Sequence, residues 1–323
     1  MNGETEDGED SGVIINTGSR TDIPAYYSEW FFQRIREGFV LVRNPYDPRR
    51  VTRYTLSPDV VDAIVFCTKN PAPMFADFAL LKPFGTFWFV TITPYGREIE
   101  PRVPDKEKVL DSFLALSELA GPGRTSWRYD PVFLSERYSV DFHIRAFGRM
   151  ARRLRGSTEQ CVVSFLDLYE RTKRNFPEGR AVTEEEQEEI VGAFSAIASE
   201  NGLVIHLCCE NPKLARENVD ADGCLSKGVL EKALGCRLAV PGKKRARAEC
   251  ACLLGADIGA YNTCAHGCRY CYANRDAETA AKNRWRHDRN SPFLIGGYGE
   301  GDVVRDAKQV SWRDGRISLF DLL

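Results

Sequence analysis

The feature that most constrains the fold is a regular alternation, between residues 12 and 210, of short apolar runs with longer stretches of helical period. Runs rich in β-branched or aromatic residues that alternate with helix-length segments are typical of repeated βα units and a parallel sheet. Six runs are predicted to be strands: residues 13–16, 61–67, 86–93, 126–129, 161–168 and 203–207. We therefore expect an α/β fold, in the form of a partial TIM-like (β/α) barrel of about six strands.

Two of the intervening helices have clear limits in the sequence. Residues 106–120 carry apolar side chains at helical spacing and are followed by a Gly-Pro-Gly stop signal at 121–123. A second helix is predicted to begin after Thr183, because Thr183 and Glu186 have the spacing of a capping box. The acidic residues 184–189 suit the first turn of this helix and are expected to form a solvated face.

Polar side chains follow nearly every predicted strand. Barrel enzymes place their catalytic groups in the loops at the carboxyl ends of the strands, so these side chains predict a ring of functional residues around the barrel mouth. The candidates for holding the substrate or exchanging protons with it are Lys69, Arg128, Asp130, Asp167 and Glu210. Arg20 and Asp22 are expected to shape the pocket and contribute to cofactor binding.

The N-terminal sequence, MNGETEDGED, has neither the basic nor the apolar region of a signal peptide. No stretch approaches the roughly 20 apolar residues that a membrane helix needs. We therefore expect a cytoplasmic protein without membrane contact. Because the cytosol keeps thiols reduced, its cysteines are expected to bind metal or carry out chemistry rather than form disulfides.

Nine of the eleven cysteines fall between residues 208 and 271. Among them Cys264, Cys268 and Cys271 have the spacing C-x3-C-x2-C. Three closely spaced thiolates can hold three corners of a 4Fe-4S cluster and leave the fourth iron free for another ligand. Zinc is the less favoured alternative, because zinc sites more often use two C-x2-C pairs and this segment supplies only one.

With Tyr270 before its last cysteine, this triad resembles the cluster motif of radical SAM enzymes, C-x3-C-x-aromatic-C. The longer string NTCAHGCRYCYAN, residues 262–274, is similar to the cluster loop of the spore photoproduct lyase-like branch. The T-K-N-P segment at 68–71 resembles another feature of that branch. Classical members place the cluster loop after the first barrel strand, whereas here it follows the barrel units, so the arrangement resembles a circular permutation.

Taken over most of its length, the chain resembles the domain-of-unknown-function family numbered eighteen-forty-eight, whose C-terminal cysteines are likened to the radical SAM cluster. The segments that carry this resemblance are residues 19–24, 42–45, 68–71, 127–131, 164–169 and 250–274. The resemblance implies that Cys264, Cys268 and Cys271 bind a 4Fe-4S cluster and that Tyr270 lies near the adenine of S-adenosylmethionine (SAM). It also implies an electron donor such as ferredoxin or flavodoxin.

A second metal site is predicted from Cys208, Cys224, Cys250 and Cys252. Four thiolates could ligate an auxiliary 4Fe-4S cluster or a structural zinc ion. The alternative is that these residues are small buried apolar side chains. Cys209 and Cys236 are less favoured as ligands, and Cys67 is expected in the core. His266, inside the cluster loop, is expected to hydrogen-bond to backbone and is left out of the metal set.

The net charge of −2 conceals an uneven distribution, because residues 237–289 carry 11 Lys or Arg against five Asp or Glu. A basic segment beside a reactive centre could bind a nucleic-acid backbone. A solvated surface is the favoured interpretation.

We predict three segments: a disordered tail at 1–11, barrel units at 12–210, and a cysteine-rich cluster-binding segment at 211–323 that packs on the barrel. The leading hypothesis is a radical SAM-like enzyme that cleaves SAM to begin radical chemistry on an unknown substrate. The alternatives are an iron-sulfur electron-transfer or sensor protein without SAM chemistry, and a zinc-binding module associated with nucleic acid.

Overall fold

The computed structural model of the chain describes residues 13–168, 170–242, 252–253 and 255–314. The predicted disordered tail at 1–11 lies outside the described residues. The strands in chain order are β1 (Ile14–Asn16), β2 (Phe39–Arg43), β3 (Arg50–Thr55), β4 (Ala63–Thr68), β5 (Thr86–Thr91), β6 (Thr125–Val132), β7 (Gln160–Phe165), β8 (Val204–Leu207), β9 (Val219–Asp220), β10 (Ala256–Asp257) and β11 (Val303–Asp306). The helices are α1 (Ile23–Tyr26), α2 (Ser28–Glu37), α3 (Lys106–Ala120), α4 (Val140–Leu154), α5 (Glu170–Asn175), α6 (Glu184–Glu200), α7 (Lys227–Leu234) and α8 (Ala277–Trp285).

Eight strands form one parallel sheet in the order β10-β1-β4-β5-β6-β7-β8-β9. All six predicted strands are present in it, and neighbours in the sheet follow one another in the order of the prediction. The predicted α/β fold with a parallel sheet is therefore confirmed. Two short strands extend the sheet: β9 pairs with β8 at one edge, and β10 pairs with β1 at the other.

The two faces of the sheet are both apolar, because side chains along a strand point alternately to either face. On the helix face, Ile64, Trp88 and Trp127 pack with the apolar sides of α2, α3, α4 and α6. On the opposite face, Val65 and Phe89 pack in a second apolar cluster with side chains from α7 and from the chain around residues 225 and 253. We call this second face the cavity face. A strand covered on both faces explains the continuous apolar runs of the sequence.

The predicted helix limits agree with the structure. α3 spans Lys106–Ala120, its N-terminus is capped by the Asp105 side chain, and Gly121 follows its last residue. α6 begins with the predicted capping box, in which Thr183 and Glu186 each accept a hydrogen bond from the other's backbone. No helix in the described part of the chain is long and apolar enough to cross a membrane.

A second, three-stranded sheet has the order β11-β3-β2 and was not predicted. β2 and β3 form an antiparallel hairpin, and the Asn44 side chain accepts hydrogen bonds from the backbone N–H groups of Tyr46 and Asp47 in its turn. β11, from the C-terminal part of the chain, runs parallel to β3.

His143 supplies a test of the packing between α4 and the sheet. Its ring is buried, with Nδ1 2.8 Å from the Tyr129 hydroxyl and Nε2 2.9 Å from the Phe133 carbonyl oxygen. Burial lowers the pKa of His143 from 6.5 to about 4. Between these values the unfolded chain binds a proton that the folded chain does not, so stability is lost as the pH falls. At pH 5 this loss is about 2 kcal/mol.

The measurement is the free energy of urea unfolding at pH 7.5 and at pH 5, compared between the natural chain and His143→Gln. Glutamine keeps a donor and an acceptor but does not titrate. The variant is expected to be less stable at pH 7.5 and to lose less stability between the two pH values. Equal pH dependence in both proteins would contradict a buried neutral His143.

Candidate functional site

A cavity of about 560 Å³ lies at the carboxyl ends of the parallel strands. It is within the range of about 300–1,000 Å³ that is usual for ligand pockets. Side-chain alternation explains much of its wall, because Asn16, Cys67, Thr91 and Ser164 each lie two positions beyond an apolar member of the cavity face and point in the same direction. Arg128 on β6 and Cys208 directly after β8 also line the cavity.

Every predicted site residue within the described ranges lines this cavity. The residues are Arg20, Asp22, Lys69, Arg128, Asp130, Asp167, Cys208, Glu210, Cys224, Cys252, Cys264, Cys268, Tyr270 and Cys271. Cys250 lies outside the described residues. Both predicted cysteine groups thus face one space at the edge of the sheet where βα enzymes carry their chemistry.

We call residues 264–271, which carry the cysteine triad predicted to bind a cluster, the cluster loop. His266 holds this loop against the start of the sheet. The imidazole Nε2 lies 2.7 Å from Asp22 Oδ2, and Nδ1 lies 3.0 Å from the Tyr26 hydroxyl. Asp22 also accepts hydrogen bonds from the backbone N–H of Lys69 and, as the cap of α1, from Ala25. The prediction that His266 pairs with backbone is therefore wrong: its ring joins two side chains of the β1–α1 segment to the cluster loop.

Within the loop, burial is the main influence on the cysteine thiols. Burial raises the pKa of Cys264 to about 12 and raises the pKa of Cys268, although the nearby Lys69 ammonium partly opposes the latter shift. Both thiols are therefore protonated at neutral pH, and a bound metal would have to displace these protons. Among the described residues, no group of three or more His, Cys, Asp or Glu side chains is arranged so that it could hold a metal ion.

A buried carboxylate, Glu100, connects the cluster loop to the sheet. It accepts hydrogen bonds from Lys69 Nζ at 2.8 Å and Thr93 Oγ1 at 2.9 Å, and from Lys106 Nζ and the Tyr270 hydroxyl. Burial alone would raise the pKa of Glu100, but Lys69 and Lys106 outweigh it and lower the pKa to about 2. Glu100 is therefore ionised, and the Lys69 ammonium is committed to it.

Sequence reasoning missed Glu100 and Lys106. Glu100 lies in an irregular segment after β5, and Lys106 is the first residue of α3, so neither has a periodic signal. Tyr270 was predicted near an adenine. Its hydroxyl donates to Glu100, and its ring lies 6.1 Å from the Tyr95 ring in an aromatic cluster.

The second cysteine group surrounds Arg128. The guanidinium Nη1 lies 3.9 Å from Cys67 Sγ and 4.0 Å from Cys224 Sγ, while Nη2 lies 3.9 Å from Cys208 Sγ. Asp130 Oδ2 holds the other side of the guanidinium, with Nε at 3.0 Å. Cys67 packs against the apolar cluster of the cavity face, as expected of a core residue, and its thiol also lines the cavity and contacts Arg128.

Three thiols of this group contact one another. The Cys224 sulfur lies 3.7 Å from that of Cys208 and 3.5 Å from that of Cys252. Hydrogen bonds from Cys209, Cys224 and Cys252 hold the pKa of Cys208 well below its usual value, with Arg128 adding to the effect. Cys209, which was less favoured as a ligand, also lines the cavity.

Two carboxyl groups of the predicted catalytic set occupy different surroundings. Burial raises the pKa of Glu210 to about 8, and its Oε1 accepts a hydrogen bond from the Phe165 backbone at 2.7 Å. Asp130 is paired with Arg128 and accepts a hydrogen bond from the Ser164 hydroxyl. Glu210 is thus mostly a neutral acid at pH 7, whereas Asp130 is the partner of the largely buried Arg128 guanidinium.

The turn after β1 closes the cavity at the edge of the sheet. The Ser19 backbone N–H donates to Asp257 Oδ2 at 2.8 Å, and Arg20 Nη1 lies 3.4 Å from the Asp257 carbonyl oxygen. A Cβ atom at Gly18 would come within 2.1 Å of the Cys67 Cβ. Only glycine permits this close approach of the turn to β4.

The basic segment is largely neutralised where it is described. Arg269 pairs with Glu178, and Arg289 pairs with Glu29. Neighbouring pairs are Arg275 with Asp276 and Lys282 with Glu278. This pairing supports a solvated, ion-paired surface more than a nucleic-acid interface.

A comparison with protein families gives one match. The family model described as Domain of unknown function (DUF1848) matches residues 14–273, which include all the described cavity-lining residues named above. No curated protein and no solved structure matches the chain.

The Glu100 network predicts a large effect of a single substitution. Glu100→Ala leaves the Lys69 ammonium buried without its carboxylate, and removing one partner of a buried ion pair typically costs about 3–5 kcal/mol. We expect a corresponding fall in the free energy of urea unfolding, together with faster proteolysis within residues 264–276.

Glu98→Ala is the matched control. Glu98 also accepts from a tyrosine, Tyr138, and pairs with Arg137, but its side chain is 42% exposed. An exposed ion pair contributes about 0–1 kcal/mol, so this variant is expected to lose much less stability. Similar losses in the two variants would show that the Glu100 network does not hold the loop.

Proposed function

Since this chain belongs to the DUF1848 family, we propose that its residues 14–273 form a radical SAM-like iron-sulfur enzyme. In this proposal Cys264, Cys268 and Cys271 bind one 4Fe-4S cluster, and the cavity beside them holds SAM and the substrate. The observation that carries the proposal is the convergence of these three cysteines with the polar strand ends on one cavity of about 560 Å³.

The sheet supports this assignment through its geometry. We propose that it acts as a partial barrel, with the cavity at its mouth. All of its strands run parallel, so their carboxyl ends meet at one edge, as in enzymes that use the βα loops for catalysis. The C-terminal position of the cluster loop does not disturb this arrangement, because β10 brings that part of the chain back beside β1.

The residues at hand fit a cluster in three respects. Three thiols of the motif face a common space, and the C-x3-C-x2-C spacing matches a three-cysteine set that leaves one iron open. Burial raises the pKa of Cys268, and the nearby Lys69 ammonium offsets part of that rise, which favours the thiolate that an iron ion requires. The contacts of His266 and Tyr270 fix the loop at both of its ends before any metal binds.

If bound and reduced, such a cluster would supply the one electron that cleaves the sulfonium of SAM into methionine and a 5'-deoxyadenosyl radical. The chain itself must then exclude water and orient the substrate. Phe89, Leu225 and Leu253 form an apolar part of the cavity wall that would exclude water. Arg128 and Asp130, on a strand at the middle of the sheet, present fixed charges that would orient the substrate.

The electron that reduces the cluster would come from a small carrier protein of the ferredoxin or flavodoxin type. A reducing cytoplasm suits both the thiols and the cluster. The alternative, an iron-sulfur electron-transfer or sensor protein, would use the same cysteines without SAM, and a zinc module would hold no iron.

The test is anaerobic reconstitution with iron and sulfide, reduction with dithionite in the presence of SAM, and measurement of 5'-deoxyadenosine. We expect about four irons per triad and formation of the nucleoside. Cys268→Ala removes one ligand and should abolish both. Cys161→Ala is the control, because Cys161 is fully buried on the helix face and should retain cluster and product.

Each outcome separates the hypotheses. A protein that takes up no iron would overturn the proposal. A cluster that forms normally but yields no nucleoside, with or without an extract that could supply the substrate, would favour electron transfer or sensing.

A further inference from the structure

The second cysteine group has a geometry of its own. Its three sulfurs come from three separate places: Cys208 directly after β8, Cys224 in the turn before α7, and Cys252 in the segment before β10. They nevertheless converge, with sulfur–sulfur distances of 3.7 Å for Cys224 to Cys208 and 3.5 Å for Cys224 to Cys252. Chain segments that are distant in sequence therefore meet through sulfur.

These distances identify the kind of metal that would fit. Zinc binds thiolate sulfur at about 2.3 Å in a tetrahedron, which places neighbouring sulfurs about 3.8 Å apart. Cysteines on a 4Fe-4S cluster bind different irons and point away from its corners, so their sulfurs lie farther apart. The observed spacing matches ligands that share a single ion.

The charge of the surroundings fits the same ion. One divalent cation with three thiolates carries one net negative charge. Arg128 lies 3.9 Å from the Cys208 sulfur and 4.0 Å from the Cys224 sulfur, and its side chain is 15% exposed in the cavity wall. Its charge would compensate the excess negative charge, which would otherwise be costly at a buried site.

Without an ion, the Cys224 sulfur hydrogen-bonds to the Cys208 and Cys252 sulfurs, and no three described His, Cys, Asp or Glu side chains are arranged so that they could hold a metal ion. Metal binding would displace the thiol protons. Because two of the three sulfur–sulfur distances already match those around a shared zinc ion, we expect rotation of the side chains to complete the site.

We propose that Cys208, Cys224 and Cys252 bind one zinc ion at the wall of the cavity. Thiolate sulfur is a usual zinc ligand, and the Cys209 thiol, which hydrogen-bonds to Cys208, lies beside these three. All of these cysteines line the cavity that also contains the cysteines of the cluster loop.

This inference is independent of the proposed iron-sulfur function, and one set of metal analyses separates them. The full chain is purified under reducing conditions and supplied with zinc, and zinc and iron are measured per chain after anaerobic iron reconstitution. We expect one zinc per chain. Cys268→Ala should lose iron and keep zinc, whereas Cys224→Ser should keep iron and lose zinc by about tenfold or more.

A second measurement guards against misfolding of the cysteine variants. Cobalt supplied to the natural chain in place of zinc should give the intense visible absorption of a tetrahedral thiolate site, and added zinc should abolish it. Absence of this absorption, or unchanged zinc in a folded Cys224→Ser protein, would overturn the proposal. So would about eight irons per chain in place of zinc, since that number indicates a second 4Fe-4S cluster.

Discussion

A parallel sheet that is apolar on both faces needs cover on both faces, and this requirement governs the rest of the structure. Helices α2, α3, α4 and α6 cover one face. The cavity face is covered by α7 and by the chain around Leu225 and Leu253. The same segment carries Cys224 and Cys252 to the strand ends. Burial of apolar surface and assembly of the second thiol group are therefore one event, and a change that loosens α7 should disturb both.

Buried charge has the corresponding role for the cluster loop, which has little regular secondary structure to position it. Glu100 binds Lys69, Lys106 and Tyr270, and Asp22 binds His266. Docking of the loop adds the Tyr270 hydroxyl to Glu100 and the His266 ring to Asp22, so the hydrogen bonds that hold the loop end on two buried carboxylates. The loop is thus placed by ion pairs and hydrogen bonds of the chain itself, as is required of a site that must be preorganised.

The sequence permitted prediction of those parts of the fold and site that have a repeating signal. Six strands, two helix limits and the polar strand ends followed from period and capping. β9 and β10 have two residues each and carry no period. The contact of Cys67 with the cavity could not be predicted, because its strand is apolar throughout and alternation cannot reveal which face a residue occupies. Glu100 and the partners of His266 depend on contacts between distant segments, which no local pattern records.

The two thiol groups share an electrostatic arrangement although they differ in spacing. Each has a largely buried cation beside it, Lys69 near Cys268 and Arg128 near Cys208, and each cation is paired with a carboxylate. A cation that is already paired stabilises a thiolate without being drawn out of position toward it. The pairs Lys69–Glu100 and Arg128–Asp130 therefore fix positive charge at two points of one cavity. A substrate bound between these points would meet both sulfur groups in a constant electrostatic field.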